Sequence, residues 1–130
     1  MVAAENIKHG RRFEICVNLP SQYTLITIVN MIYITQLIYI REGQEKIFDE
    51  FESIAIPTIS KYNGRLLVRI RPAKDNFIEL HIDQPYEIHL VEFDRDSDFS
   101  NFMEDEERKK FLHLKEQSIK SSVIIKGTKL

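Results

Sequence analysis

The fold is decided at one corner of the chain, KYNGRLLVRIRP, which occupies residues 61–72. Gly64 follows a helical pattern and is placed to end a helix in the left-handed conformation, with Asn63 as the next candidate. Beyond the glycine, side chains of like character recur at every second position, which is the period of a β-strand. The stretch therefore predicts a helix end, a left-handed turn and a strand over residues 66–71, which Pro72 ends.

A strand and a helix are predicted before this corner. Residues 31–40 are rich in β-branched and aromatic side chains on both faces, which predicts a strand covered on both sides. The helix that follows carries an apolar stripe at Phe48, Phe51, Ala55, Ile59 and Tyr62. Pro57 lies inside this pattern and lacks the amide hydrogen that a helix needs, so we expect a kink or break near Ala55 and Ile56.

After the corner, strands and helices continue to alternate. Residues 77–83 alternate apolar and polar side chains, which predicts a strand or hairpin arm with one exposed face. Residues 86–93 predict a third main strand, Asp96 or Ser97 is placed to cap a second helical region, and residues 121–126 predict a last strand. Apart from the arm, this order predicts an α+β, ferredoxin-like βαββαβ fold in which two helices cover one face of an antiparallel sheet.

The length of 130 residues predicts one domain. Residues 31–130 form the predicted ferredoxin-like domain, and residues 1–30 form an N-terminal extension without helical periodicity. Two hypotheses stand for the extension. Either it is disordered or loosely attached, with Met31 as the natural start, or it supplies an extra edge strand or arm.

Charge and cysteine usage restrict the partners and the compartment. The 18 basic and 20 acidic residues give a net charge of −2, which argues against a nucleic-acid-binding surface. No apolar run approaches the roughly 18 residues that span a membrane, and the first residues lack the pattern of a signal peptide. Cys16 is the single cysteine, which favours a reducing compartment. We therefore expect a cytoplasmic protein with neither nucleic acid nor membrane as partner.

The face of the predicted sheet opposite the helices is apolar. It is predicted to carry Tyr33, Leu37, Tyr39, Leu67, Val91 and Phe93. An exposed apolar patch of this kind usually marks an interface, and two such sheets packed face to face close a barrel between subunits. We therefore expect a homodimer with two-fold symmetry.

The same barrel-facing surface is predicted to carry polar side chains, which form the candidate site. These are Tyr33, Thr35, Tyr39, Arg69, Arg71, Glu87 and His89. His89 beside Glu87 has the chemistry of a general base, and Arg69 that of a group holding an anionic or enolate oxygen. These three are the predicted catalytic residues, and the other four are predicted to bind ligand. A buried ion pair at a dimer interface explains the same residues without catalysis, and a cleft between sheet and helices is the other location for a ligand.

Most of the chain resembles a known family. The matching motifs are Ile56-Pro57 and Lys61-Tyr62-Asn63-Gly64 at the end of the first helix, Val91-Glu92-Phe93 at the end of a strand, and Phe102-Met103-Glu104-Asp105-Glu106 in the second helical region. They are similar to those of the DUF1330 family of small uncharacterised domains, within the dimeric α/β-barrel superfamily. The resemblance runs from residue 31 to residue 127, and its motifs bear on the fold more than on any activity.

Two functions remain open. Related families of the superfamily include cofactor-free monooxygenases, haem-degrading enzymes and lactone isomerases, so the resemblance implies an enzyme that acts without cofactor on a small aromatic or carbonyl compound. Haem degradation is disfavoured, because His89 is a lone candidate ligand and the chain has no tryptophan. No metal site is predicted, since no second histidine completes the set Glu79, His81 and Asp83. The alternative function is that of a non-catalytic ligand-binding or structural dimer.

Overall fold

The computed structural model describes residues 30–130 and the backbone of two short segments before them. These segments are strands β1 (Glu14–Ile15) and β2 (Ile26–Thr27), which pair antiparallel to each other. The predictions for residues 1–30, including the role of Met31 as the natural start, otherwise lie outside the described residues.

The domain consists of a four-stranded antiparallel sheet and helices. Its elements are β3 (Ile32–Ile40), α1 (Glu45–Thr58), β4 (Gly64–Ile70), β5 (Glu87–Phe93), α2 (Asp96–Met103), α3 (Glu106–Lys109), α4 (Leu112–Ser118) and β6 (Ile119–Gly127). The strands lie in the order β4-β5-β3-β6, and each neighbouring pair is antiparallel. This arrangement confirms the predicted α+β, ferredoxin-like fold.

The hydrophobic core lies between the sheet and the helices. Ile32 and Ile34 of β3 form one cluster with Val91 and Phe93 of β5. Phe93 is 1% exposed, and its ring centroid lies 5.5 Å from that of Phe99 in α2. Burial of a side chain of this size stabilises the fold by roughly 1.5–3 kcal/mol.

The predicted position of Val91 and Phe93 on the bare face was therefore wrong. Phe93 is paired with Ile32 and Val91 with Ile34, and paired residues of neighbouring strands share a face. The alternation in β5 is apolar on both sides, because Ile88 and Leu90 occupy the other face. The sequence pattern alone gave no reason to prefer one side.

At the corner after α1, Asn63 takes the role that the sequence predicted for Gly64. Asn63 adopts the left-handed conformation, with φ 55° and ψ 37°, after a 3₁₀ turn at Ile59–Tyr62. Gly64 is the first residue of β4, and a Cβ there would lie 2.6 Å from Cε1 of Phe93. Glycine is required for close packing here, and Asn63 makes the turn. Pro57 is accommodated inside α1, which continues to Thr58 without the expected break near Ala55 and Ile56.

A β-bulge changes the side of the sheet that the second half of β4 faces. Leu66 is paired with Val91, but Val68 is paired with Leu90, so the register shifts by one residue between Leu66 and Val68. Because of this shift, Arg69 lies opposite His89 on the side of the helices. The prediction that Arg69 and Arg71 face a barrel was therefore wrong.

The predicted arm at residues 77–83 contains no strand. A loop with one 3₁₀ turn, Lys74–Asn76, connects β4 to β5, and the side chain of Ile78 is fully exposed. The hydroxyl of Tyr39 donates a hydrogen bond of 2.8 Å to the carbonyl oxygen of Asp83. The Nε2 atom of Gln84 donates a hydrogen bond of 3.0 Å to the carbonyl oxygen of Pro72. The loop is therefore attached to β3 by the bond from Tyr39, and the bond from Gln84 joins its two ends.

The outer face of the sheet is apolar and exposed. Val68, Ile70, Val123 and Ile125 have exposed fractions of 40%, 47%, 45% and 54%. Leu90 lies among them, because Thr35 is paired with both Leu90 and Ile125. The predicted apolar face therefore exists, although its composition differs from the prediction.

Candidate functional site

A cavity of about 70 Å³ lies between the sheet and the helices. Its walls are mainly apolar, and Phe51, Phe93 and Phe102 contribute aromatic rings. It also has a small polar lining, which consists of Gln36, Glu52, His89, Arg108 and Lys115. An apolar space with a few convergent polar groups is typical of a site for a small organic molecule.

His89 connects this cavity to a buried carboxylate. Its side chain is 4% exposed, and its Nε2 atom forms a hydrogen bond with Oε2 of Glu87, which is fully buried. Both residues lie on the same side of β5 because they are two positions apart. Glu87 is ionised, so Nε2 carries the hydrogen of this bond and Nδ1 is the ring nitrogen left for a ligand.

Two arginines hold the carboxylate of Glu87 from the other side. Nε of Arg69 lies 2.8 Å from Oε2, and Nε of Arg71 lies 2.6 Å from Oε1. Burial would raise the pKa of Glu87, but the hydrogen bonds from His89, Arg69 and Arg71 outweigh it and hold this pKa at about 2. Arg71 also pairs with Asp49 of α1, so the cluster joins the sheet to the helix.

Glu52 is the second carboxyl group of the site. It lies in the middle of α1, is 7% exposed and lines the cavity. Burial raises the pKa of Glu52, and the charge of Glu87 acts in the same direction, while His89, Arg69 and Arg108 oppose the shift. A raised pKa favours the protonated form of the carboxyl group, which can donate as well as accept a hydrogen bond.

Arg108 brings a buried cation to the same cavity. It is 6% exposed, and its guanidinium carbon lies 5.2 Å from the ring centroid of Phe102 and 5.9 Å from that of Phe51. Its Nη1 atom donates to the carbonyl of Met103 at 3.2 Å. Burial lowers the pKa of Arg108, but an arginine remains charged in such a site.

Asp105 fixes the short helix that carries Arg108. Its Oδ1 atom accepts a hydrogen bond of 2.8 Å from the backbone amide of Arg108 and so caps α3. Its Oδ2 atom accepts bonds from Oη of Tyr62 at 2.6 Å and from Nζ of Lys61 at 3.0 Å. These three hydrogen bonds hold the pKa of Asp105 well below its usual range, and the bond from Tyr62 has the largest effect. The corner after α1 thus positions α3 and the arginine.

The structure divides the predicted site residues between two places. Arg69, Arg71, Glu87 and His89 come together on the side of the helices, where only His89 lines the cavity. Tyr33, Thr35 and Tyr39 alternate with the buried residues of β3 and lie on the outer face. The cleft that the sequence offered as the second location holds the polar cluster.

Sequence reasoning missed Glu52 and Arg108. Glu52 follows Phe48 by four positions and precedes Ala55 by three, so it lies on the apolar stripe of α1. Arg108 lies in a charged run that predicts a solvated helix surface, but it is three residues before Phe111 and six before Leu114. Charged residues on the buried side of a helical pattern were the available signal.

In the described ranges, no three His, Cys, Asp or Glu side chains are grouped so that they could hold a metal ion. None of the helices in those ranges has the length and apolar character that a membrane crossing needs.

Comparison with known proteins gives structural matches. No family model matches the chain, and no curated protein matches it. A protein of unknown function from Rhodopseudomonas palustris matches with a TM-score of 0.67 and 11% identity, over 78% of this chain and 84% of that one. A dimeric protein of unknown function with a ferredoxin-like fold, from Bacteroides fragilis, gives 0.55 and 13%, over 77% and 97%.

An enzyme is among the matching structures. The hydroxynitrile lyase from Passiflora edulis gives a TM-score of 0.59 and 11% identity, over 75% of this chain and 92% of that one. Proteins of the NIPSNAP and dabb families also match. At identities this low, the likeness shows the fold alone, which is ferredoxin-like.

Proposed function

We propose that the protein is a cofactor-independent enzyme that moves a proton on a small carbonyl or aromatic compound bound in the cavity between sheet and helices. The observation that carries this proposal is the position of His89. The imidazole lines the cavity and is held from behind by a buried carboxylate. A histidine oriented by a carboxylate in a largely apolar pocket is a suitable general base.

The chemistry follows from the three groups around the cavity. Nδ1 of His89 takes a proton from the carbon next to the carbonyl. The electron pair of the broken C–H bond forms a C=C bond, and the π pair of the C=O bond moves onto the carbonyl oxygen. Glu87 stabilises the imidazolium that forms and remains ionised itself. Glu52, in which burial favours the uncharged form, stabilises the charge on the enolate oxygen by a hydrogen bond. Return of the proton to either carbon or oxygen restores neutral His89.

Two comparisons support this proposal without assigning a substrate. The motifs at residues 56–64 and 91–106 resemble the DUF1330 family, to which we propose that the chain belongs. The hydroxynitrile lyase among the structural matches is an example of an enzyme with a similar fold. We also infer a cytoplasmic location from the single cysteine, and no nucleic-acid partner from the net charge of −2.

We propose further that the protein is a homodimer formed through the outer face of the sheet. Four side chains there, Val68, Ile70, Val123 and Ile125, are 40–54% exposed although apolar. One structural match is described as dimeric. In aqueous solution, an apolar sheet face of this kind is stabilised by burial against another apolar surface. A second copy of the chain has the same apolar patch.

The proposed chemistry is tested by hydrogen exchange at carbon. Small ketones, aldehydes and oxo acids are incubated in D₂O with the protein, and deuterium uptake next to the carbonyl is followed by NMR. We expect at least one compound to exchange faster with the protein than in buffer, and His89→Ala to lower this rate by about a hundredfold or more. Arg65→Ala, which removes two ion pairs on the outer face, is the matched control and leaves the rate unchanged.

The alternative of a non-catalytic ligand-binding or structural dimer has its own supporting observation. Glu87 is bonded by three side chains at once, as expected for a cluster that only stabilises the junction of sheet and helix. Equal exchange rates for the wild type and His89→Ala, with both proteins folded, would leave this alternative as the function.

A further inference from the structure

The proposed function leaves open what the ligand carries besides its carbonyl group, and Arg108 bears on this. The Nε atom of Arg108 is buried and has no hydrogen-bond partner among the described residues. Within that part of the chain, the guanidinium also forms no ion pair with a carboxylate. A buried guanidinium normally has such a partner, because an unpaired charge in the interior is costly.

Arg108 lies at the cavity, so its unpaired Nε–H donor is close to any ligand bound there. The residue lines the cavity, and its guanidinium lies near the rings of Phe51 and Phe102. Contacts with aromatic rings hold the charged group between two helices without using its N–H donors. The donor is therefore ordered by the protein and left for a group that enters the cavity.

The charges around the cavity also favour an anionic ligand. Glu87 and Asp49 together offset Arg69 and Arg71, so that cluster is neutral. The remaining ionisable groups of the lining are Glu52, Arg108 and Lys115, besides His89. Burial favours the uncharged form of Glu52, while Arg108 keeps its charge. The empty cavity therefore has an excess of positive charge.

We propose that the ligand is a small carboxylate, whose carboxylate group pairs with Arg108 and whose apolar body lies against Phe51 and Phe102. This inference rests on the proposed function for the location of the site and adds the substrate class, a carbonyl compound that is also a monoanionic acid. The planar fork of a guanidinium matches the two oxygens of a carboxylate. A phosphate ester fits less well, because its second charge and its additional polar oxygens would lie against apolar walls.

The test compares acids with their amides, which have nearly the same shape but no charge. Acetate, isobutyrate and benzoate are titrated into the full-length protein beside acetamide, isobutyramide and benzamide, and binding is measured by calorimetry. We expect at least one acid to bind at least about tenfold more tightly than its amide, since a charge-assisted bond is worth roughly that factor. We expect Arg108→Gln to remove this preference and Arg108→Lys to retain part of it.

Arg65→Gln is the matched control, because Arg65 pairs with Glu92 and Asp94 on the outer face, away from the cavity. This variant should keep the preference for the acid. If Arg108→Gln does not fold, the Nε–H resonance of Arg108 in the wild type gives the same information. It should shift on addition of an acid and stay in place on addition of the amide.

Three results would overturn the proposal. They are equal or tighter binding of the amides, an unchanged preference in folded Arg108→Gln, and no binding of any of the three acids up to on the order of 10 mM. Because binding is measured without turnover, this outcome is separate from the exchange test on His89. Binding of acids with no exchange would retain the anion site and remove the enzymatic proposal.

Discussion

Glu87 is the residue on which the site depends most directly. Its two oxygens accept hydrogen bonds from one histidine and two arginines, and it is fully buried. The pairing of His89 with Glu87 could be predicted from the sequence, since residues two apart in a strand share a face in any register. The face of the sheet on which this pair lies could not be predicted, because both faces of β5 carry apolar residues.

Removal of the Glu87 charge should destabilise the protein. We expect Glu87→Gln to lower the free energy of unfolding by roughly 2–4 kcal/mol, because two arginines lose their partner. Glu92→Gln lies on the same strand and removes a more exposed pair with Arg65, so a change below about 1 kcal/mol is expected. Urea denaturation at neutral pH measures both. Equal effects of the two substitutions would contradict the central role of Glu87.

The carboxylate of Glu87 also makes the stability of the folded protein depend on pH. Its pKa is lowered to about 2 in the folded protein from an ordinary value of 4.5. A lowered pKa contributes stability that is present above 4.5 and is lost as the pH falls through about 2. The difference in stability between wild type and Glu87→Gln should therefore shrink across this range.

Glu52 should behave in the opposite way. Its pKa is raised in the folded protein, so its ionisation opposes folding as the pH increases above the ordinary value of 4.5. We expect Glu52→Gln to raise the thermal midpoint at neutral pH and to have little effect at pH values below that ordinary value. The variant should also lower any exchange activity, because an amide is a weaker hydrogen-bond donor to the enolate oxygen than a carboxyl group. A lower midpoint at neutral pH would show that Glu52 stabilises the fold.

At the scale of the elements, one extra residue decides where the site forms. The bulge between Leu66 and Val68 moves Arg69 and Arg71 to the side of Glu87. The sequence predicted the strand and the alternation within it, but a bulge leaves no mark in such a short apolar run. The helices were predicted from their apolar stripes, whereas the loop at residues 77–83 imitated a strand through chance alternation.

The corner after α1 provides a test at this scale. Gly64→Ala should destabilise the protein by roughly 1–3 kcal/mol, because the added methyl group would lie 2.6 Å from the ring of Phe93. Asn63→Gly should change the stability by less than about 1 kcal/mol, since glycine adopts the left-handed conformation readily. Chemical denaturation of both variants measures the difference. A larger loss in Asn63→Gly than in Gly64→Ala would show that the turn, and not the close packing, limits this position.

At the scale of the whole domain, residues 30–130, the two sides of the sheet differ in character. The side of the helices encloses the cavity with its few polar groups, and the outer face of the sheet is apolar and exposed. The ferredoxin-like order of elements was predictable, because each helix and strand has its own periodicity. The distribution of polar side chains between the two faces was not predictable, because it depends on register and on contacts between residues far apart in the sequence.

The outer face should hold two copies of the chain together. We expect the wild type to sediment as a dimer at micromolar concentration and Ile125→Glu to sediment as a monomer, since a charge would be buried in the interface. Ile78→Glu is the control, because Ile78 is fully exposed in the loop before β5, away from this face. A monomeric wild type would remove the proposed dimer.

The location of the ligand site is the claim that can be measured most directly. Protein labelled with ¹⁵N is titrated with a small ketone, cyclopentanone, and the shifts of the backbone amides are mapped by NMR. We expect the largest changes at Glu52, His89 and Arg108, around the cavity, and far smaller ones at Val68 and Ile70 on the outer face, which do not adjoin a lining residue. Changes confined to the outer face would contradict the account and return the site to the barrel between subunits.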